Sequence, residues 1–105
     1  MRMLLGCLAT AGILLLATQK AGDADRGKAV YELYCANCHH AASAEKKLGP
    51  GLKGLFKKRR MQNGQKPTEQ NVQAKIDKGG GGMPSYKDLL SDQEKADLMA
   101  YLKTL

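Results

Sequence analysis

Two thiols and an imidazole crowd into the stretch YCANCHH at residues 34–40, as Cys35, Cys38 and His39. On a helical turn, residues three and four apart share a face, so the three side chains project on one side. Three chemistries use such a set. A structural zinc site draws four ligands from two separated pairs, and the one further histidine, His40, is adjacent in sequence and points elsewhere. A thioredoxin-like dithiol expects a neighbouring βαβ pattern, and none is visible. The third use is covalent. Each thiol adds across one vinyl group of a porphyrin to give a thioether, and the adjoining imidazole then reaches the iron. C-x-x-C-H is the attachment signature of haem c.

Iron held by His39 has an opposite axial position to fill. The candidates downstream are His40, Met61, Met83 and Met99. His40 cannot reach the far face while its neighbour holds the near one. Met99 falls near Leu102 on a predicted helix and reads as a core residue. Met61 follows four cations and reads as a loop residue. Met83 stands apart because it lies in GGGGMPSY, residues 79–86. Four glycines let a backbone approach a flat ring without Cβ clashes, and Pro84 fixes the direction in which the chain leaves. Methionine–histidine ligation raises the reduction potential, and it leaves the metal little room for a substrate.

The elements that must position these residues are helical. Asp23 or Asp25 can cap a helix running from Asp25 to about Asn37, with Val30, Leu33 and Tyr34 at helical spacing and the cysteines at its C-terminal end. Residues 41–66 read as loop, broken by Gly49, Pro50, Gly51, Gly54 and Gly64. Thr68 can cap a second helix to Lys78. Ser91 with Glu94 forms a capping box, and Leu98, Tyr101, Leu102 and Leu105 follow at i, i+3, i+4 and i+7. No segment alternates as a strand, so the fold class is all-α, with three to four short helices and long loops.

Residues 1–21 read as a segment apart from this domain. Arg2 precedes an uncharged, Leu- and Ala-rich run from Met3 to Thr18, with a small residue, Ala21, near the junction. The pattern is that of an export signal, with an uncleaved N-terminal anchor as the alternative; the run falls just short of a usual membrane span. Cleavage after Ala21 leaves residues 22–105, with fifteen cations against ten carboxylates, no tryptophan and one phenylalanine, Phe56. A domain this small buries only about 60–65% of its unfolded surface and needs a staple; a porphyrin supplies that missing apolar mass. The positive balance suits acidic partner surfaces. Nucleic acid is a poor fit, because export removes the opportunity and no aromatics interleave the charges.

These residues resemble the class I c-type cytochromes, and especially their short bacterial members. The likeness spans residues 23–105 through Gly27-x-x-x-Tyr31, the C-x-x-C-H at 35–39, Gly49-Pro50-x-Leu52-x-Gly54-Leu55-Phe56, the Gly-Met-Pro at 82–84, and Ala96-Asp97-Leu98-x-Ala100-Tyr101-Leu102. The resemblance implies a cytochrome c fold around one haem c, attached through Cys35 and Cys38. It further implies that the Pro50 carbonyl accepts from the His39 imidazole, and that Gly27 lets the first helix cross the last. It departs after Phe56, where Lys57, Lys58, Arg59 and Arg60 replace the usual continuation. Relatives often set an arginine at the Lys58 position against a haem propionate, and which of Lys58, Arg59 and Arg60 takes that contact is open. The expected function is one-electron carriage as a periplasmic or otherwise exported monomer, with His39 and Met83 as axial ligands. Partners would be larger redox proteins with acidic docking surfaces, such as a terminal oxidase or a dehydrogenase. The alternatives are a haem c subunit of a membrane-associated oxidoreductase complex, or a ligand-binding sensor or peroxidase-like protein in which Met83 is displaced.

Overall fold

Asp23 accepts the Arg26 amide through its side chain and so opens the first helix, α1 (Ala24–Tyr34). In the computed structural model, which describes Gly6, Gly12 and residues 21–105, this helix is followed by a long loop and then by α2 (Glu69–Lys78) and α3 (Asp92–Leu102). The expected export signal lies outside the described residues, Gly6, Gly12 and Ala21 excepted. Thr68 caps α2 by accepting from the Asn71 amide. At α3, Ser91 and Glu94 satisfy each other's backbone amides reciprocally, as the capping box requires. A single 3-10 turn, Leu55–Lys57, interrupts the loop. Among the described residues no helix is long and apolar enough to cross a membrane.

Helices α1 and α3 pack directly on each other. A Cβ on Gly27 would collide with the Asp97 carbonyl oxygen, so only glycine permits the crossing at this distance. Gly22 meets Ala96 in the same way, which sets the start of the packed domain against α3. Tyr31 and Tyr101 meet at a tilt beside the crossing, 5.4 Å between ring centroids. Leu98, Met99 and Leu102 of α3, Val72 and Ile76 of α2, and Val30 of α1 close the core. Met99 thus has the core role expected of it.

The crossing is locked by a buried carboxylate. Asp97 accepts from Arg26 Nε at 3.0 Å and Nη2 at 3.2 Å, from the Asp23 amide at 2.9 Å and from Gln93 at 3.0 Å. Its charge sits at the N-terminal end of α1, where the helix dipole favours an anion. The Arg26 guanidinium and the Asp23 amide hold the Asp97 carboxyl down to about 2.

Two helical details differ from the sequence reading. Helix α1 stops at Tyr34, and residues 35–38 continue as turns. Leu33 is 67% exposed, because the face turned to α3 is Gly27, Val30 and Tyr31. Leu33 lies on the next stripe around the helix.

Candidate functional site

The end of α1 gathers the thiols and the imidazole. The Cys35 amide still donates to Tyr31 O, while the Cys38 and His39 amides both return to Cys35 O at 3.1 and 3.0 Å. That tight turn sets Cys35, Cys38 and His39 within one winding of backbone. Both cysteines are unpaired and half-buried. Burial, with the neighbouring Cys38 adding to it, pushes the Cys35 thiol up to about 11, so it keeps its proton at neutral pH. Among the described residues no three His, Cys, Asp or Glu side chains gather as a metal site.

The loop at 47–52 wraps this turn closely. Gly49 N–H donates to Cys38 O at 2.6 Å and Leu52 N–H to His40 O at 2.7 Å. A Cβ on Gly49 would overlap the His39 ring, so the loop lies directly against the imidazole. His39 Nδ1 sits 2.8 Å from Pro50 O. A carbonyl can only accept, so Nδ1–H is the donor and Nε2 keeps its lone pair free for a metal. The Tyr31 hydroxyl donates to His39 O at 2.7 Å and fixes the backbone of the same residue. Burial pushes the Tyr31 phenol up to about 12. Lys47 donates to Ala36 O and Lys58 to Gly51 O, stapling the loop from outside. Lys58 is therefore engaged beside Pro50, although it is exposed like Lys57, Arg59 and Arg60.

Met83 arrives from the other end of the chain. The loop after α2 returns through Tyr86, whose hydroxyl donates to Tyr34 O at 2.9 Å, one residue before Cys35. The two rings also meet edge-on at 6.1 Å. Tyr86 thus carries the methionine loop across to the cysteine end of α1. The sequence reading assigned it no role, although it closes the quoted GGGGMPSY stretch. Cys35, Leu52, Phe56, Met61 and Met83 all pack half-buried against the single core.

Half-buried apolar side chains, two free thiols on one turn and an imidazole with one nitrogen already committed fit a flat apolar macrocycle with a central metal. The arrangement defines a small helical haem-binding domain. A family model described as cytochrome C oxidase, cbb3-type, subunit III matches residues 22–102. A cytochrome c-553-like protein of Synechocystis sp. is 35% identical over 85 residues, covering 80% of this chain and 70% of that protein. A cytochrome c6 of the same organism is 32% identical over 85 residues, 81% of this chain and 68% of that one. Among solved structures, cytochrome c6 of the diatom Phaeodactylum tricornutum superposes with a TM-score of 0.60 at 28% identity, covering 79% of this chain and 93% of that chain. The chain belongs to the class I c-type cytochromes. It has the cytochrome c fold, carries one covalently bound haem c, and works as a monohaem electron carrier rather than an enzyme.

Proposed function

We propose that Cys35 and Cys38 fasten the macrocycle, that His39 and Met83 hold its iron from opposite sides, and that the chain shuttles single electrons between larger redox enzymes outside the cytoplasm. The observation that carries this reading is the 2.8 Å contact between His39 Nδ1 and Pro50 O. It selects one tautomer, orients the ring and raises the basicity of the nitrogen left for iron. The bound haem supplies the one-electron couple. The chain's own part would be to hold the iron through His39 and Met83, so that water and substrates would be kept off the metal.

The packing of Gly22 and Asp23 on α3, with the family match starting at residue 22, supports residues 22–105 as the working unit and residues 1–21 as an export segment. Residues 46–66 hold eight cations and no carboxylate, and all eight are exposed. Such a surface suits an acidic redox partner, since exposed charge mostly sets on-rate and salt sensitivity. Glycines 79–82 and the thioether side of the macrocycle form the transfer surface in this reading.

The description of the matching family as an oxidase subunit keeps a second reading in play, a haem c subunit tethered by an uncleaved N-terminus. An intact mass of the holoprotein separates the two: a species lacking residues 1–21 supports the free carrier.

For the ligands, Met83→Ala should abolish the weak red charge-transfer band of sulfur-ligated ferric iron, and a surviving band would move the assignment to Met61. For attachment, colour should stay with the protein after unfolding in acidified acetone. Electron-transfer rates with acidic partners should fall as salt rises; a flat series would remove the basic loop as a docking surface.

A further inference from the structure

Gly79 to Gly82 hold φ of +66°, +104°, +64° and +95°. Glycine loses more conformational freedom on ordering than any other residue, so a run of four is a poorly self-supporting mount for Met83. Its tip closes on itself, with Gly80 N–H donating to Met83 O at 2.8 Å and Met83 N–H to Gly80 O at 3.2 Å. Those bonds tie the tip to nothing else. The limb after Met83 is anchored on α2 through Ser85 Oγ to Asp77 O at 2.5 Å and Tyr86 N–H to Ile76 O at 3.0 Å.

The limb before Met83 leaves α2 through the Gly79 amide, which donates to Lys75 O at 2.7 Å, and its carbonyls are then held by a side chain. Lys75, in the last turn of α2, donates from Nζ to Gly79 O at 3.2 Å and to Gly80 O at 2.9 Å. An ammonium donor makes a stronger bond than a neutral one, and a cation at a helix C-terminus is further favoured by the dipole. One charge therefore grips both peptide planes that lead into the methionine tip. A lysine that merely finished α2 would stabilise the helix and the loop together. Both acceptors here lie beyond the helix, on the limb that must stay still for Met83 to stay on iron.

Resting on the reading of Met83 as an axial ligand, we infer that Lys75 is a positioning residue that sets how often the methionine lets go. A small ligand enters the axial place only while Met83 is released, so its apparent affinity scales with the released fraction. The test is imidazole titration of the ferric holoprotein, with helix ellipticity melted in parallel. Lys75→Met should bind imidazole about tenfold more tightly, the effect of one to two lost hydrogen bonds, with a melting curve close to that of the native chain. Lys75→Arg keeps a charged donor and should return the affinity to the native value. Native-like imidazole binding by Lys75→Met, or a gain that Lys75→Arg fails to reverse, overturns the inference. Met83→Ala separates the two levels. If it keeps the red band, the ligand assignment falls and this inference with it; if it loses the band while Lys75→Met binds like the native chain, only the role of Lys75 falls.

Discussion

The imidazole side of the site is held by its own backbone, whereas the methionine side is held by borrowed contacts. Around His39, the chain bonds back at Gly49 to Cys38, at Leu52 to His40 and at Pro50 to the ring itself, with Tyr31 reaching in from α1. Around Met83, four glycines close on a single two-bond tip, and the supports come from Lys75, Ser85 and Tyr86. With His39 and Met83 as the proposed ligands, the difference would suit a carrier in which one side of the metal is permanent and the other adjustable. In the proposed reading, thioethers at Cys35 and Cys38 and a tethered imidazole would fix the metal in place, and a compliant loop would set the strength of the second bond. Such a division lets the potential be tuned by changes on the glycine side that leave the fold intact.

Alanine at matched glycines should expose the contrast most strongly. A Cβ on Gly49 would overlap the imidazole ring, while one on Gly81 meets nothing. Gly49→Ala should cost about 1–3 kcal/mol through overpacking, a fall in melting temperature of about 4–24 °C for a domain of this size. It should also disturb the haem spectrum, since the ring must shift. Gly81→Ala carries only the strain of a left-handed residue, about 1 kcal/mol, and should leave the absorption spectrum of the reduced protein in place. Thermal melts and spectra of both holoproteins decide the matter, and equal losses would erase the asymmetry.

The same asymmetry explains what was legible in the sequence. The Ser91–Glu94 box and the Thr68 cap are local rules, satisfied within a few residues, and each lies where the spacing predicts. Gly27 against α3 and Pro50 beside His39 followed from a resemblance, because no local rule joins residues across a helix crossing. Leu33 was misplaced for a physical reason. A 3.6-residue period defines a stripe but does not choose between neighbouring stripes, and the Gly27 crossing turns Tyr31 inward instead. The Arg26–Asp97 pair spans 71 residues, and Lys75 looks from sequence like any helix-surface lysine. Contacts of that kind appear only once the chain is folded.

Acid should loosen the crossing of α1 and α3. Asp97 is held from an ordinary 3.8 down to about 2 by Arg26 and the Asp23 amide. A carboxyl depressed on folding adds stability that is full above its unfolded value and disappears as pH falls towards the folded one. The contribution of Asp97 should therefore be complete above about pH 4 and decline towards pH 2. Asp97→Asn should flatten the stability profile across that window relative to the native chain, as read from denaturant midpoints. Parallel profiles would show that the pair does not carry the linkage.

Two tyrosines give the finest comparison, because each donates one hydroxyl bond to a carbonyl beside the site. Tyr31 is 3% exposed and bonds to His39 O, while Tyr86 is half-buried and bonds to Tyr34 O. Tyr31→Phe leaves its acceptor in a dry place, which costs about 1–2 kcal/mol and lowers the melting temperature by about 4–16 °C. Water can replace the hydroxyl of Tyr86, so Tyr86→Phe should lower it by about half as much or less. Its effect should fall instead on the methionine loop, seen as a weaker red ferric band at the same temperature. A Tyr86→Phe protein that melts as early as Tyr31→Phe with its band intact would place Tyr86 in the rigid framework, and the compliant side of the site would then shrink to the glycines and Lys75.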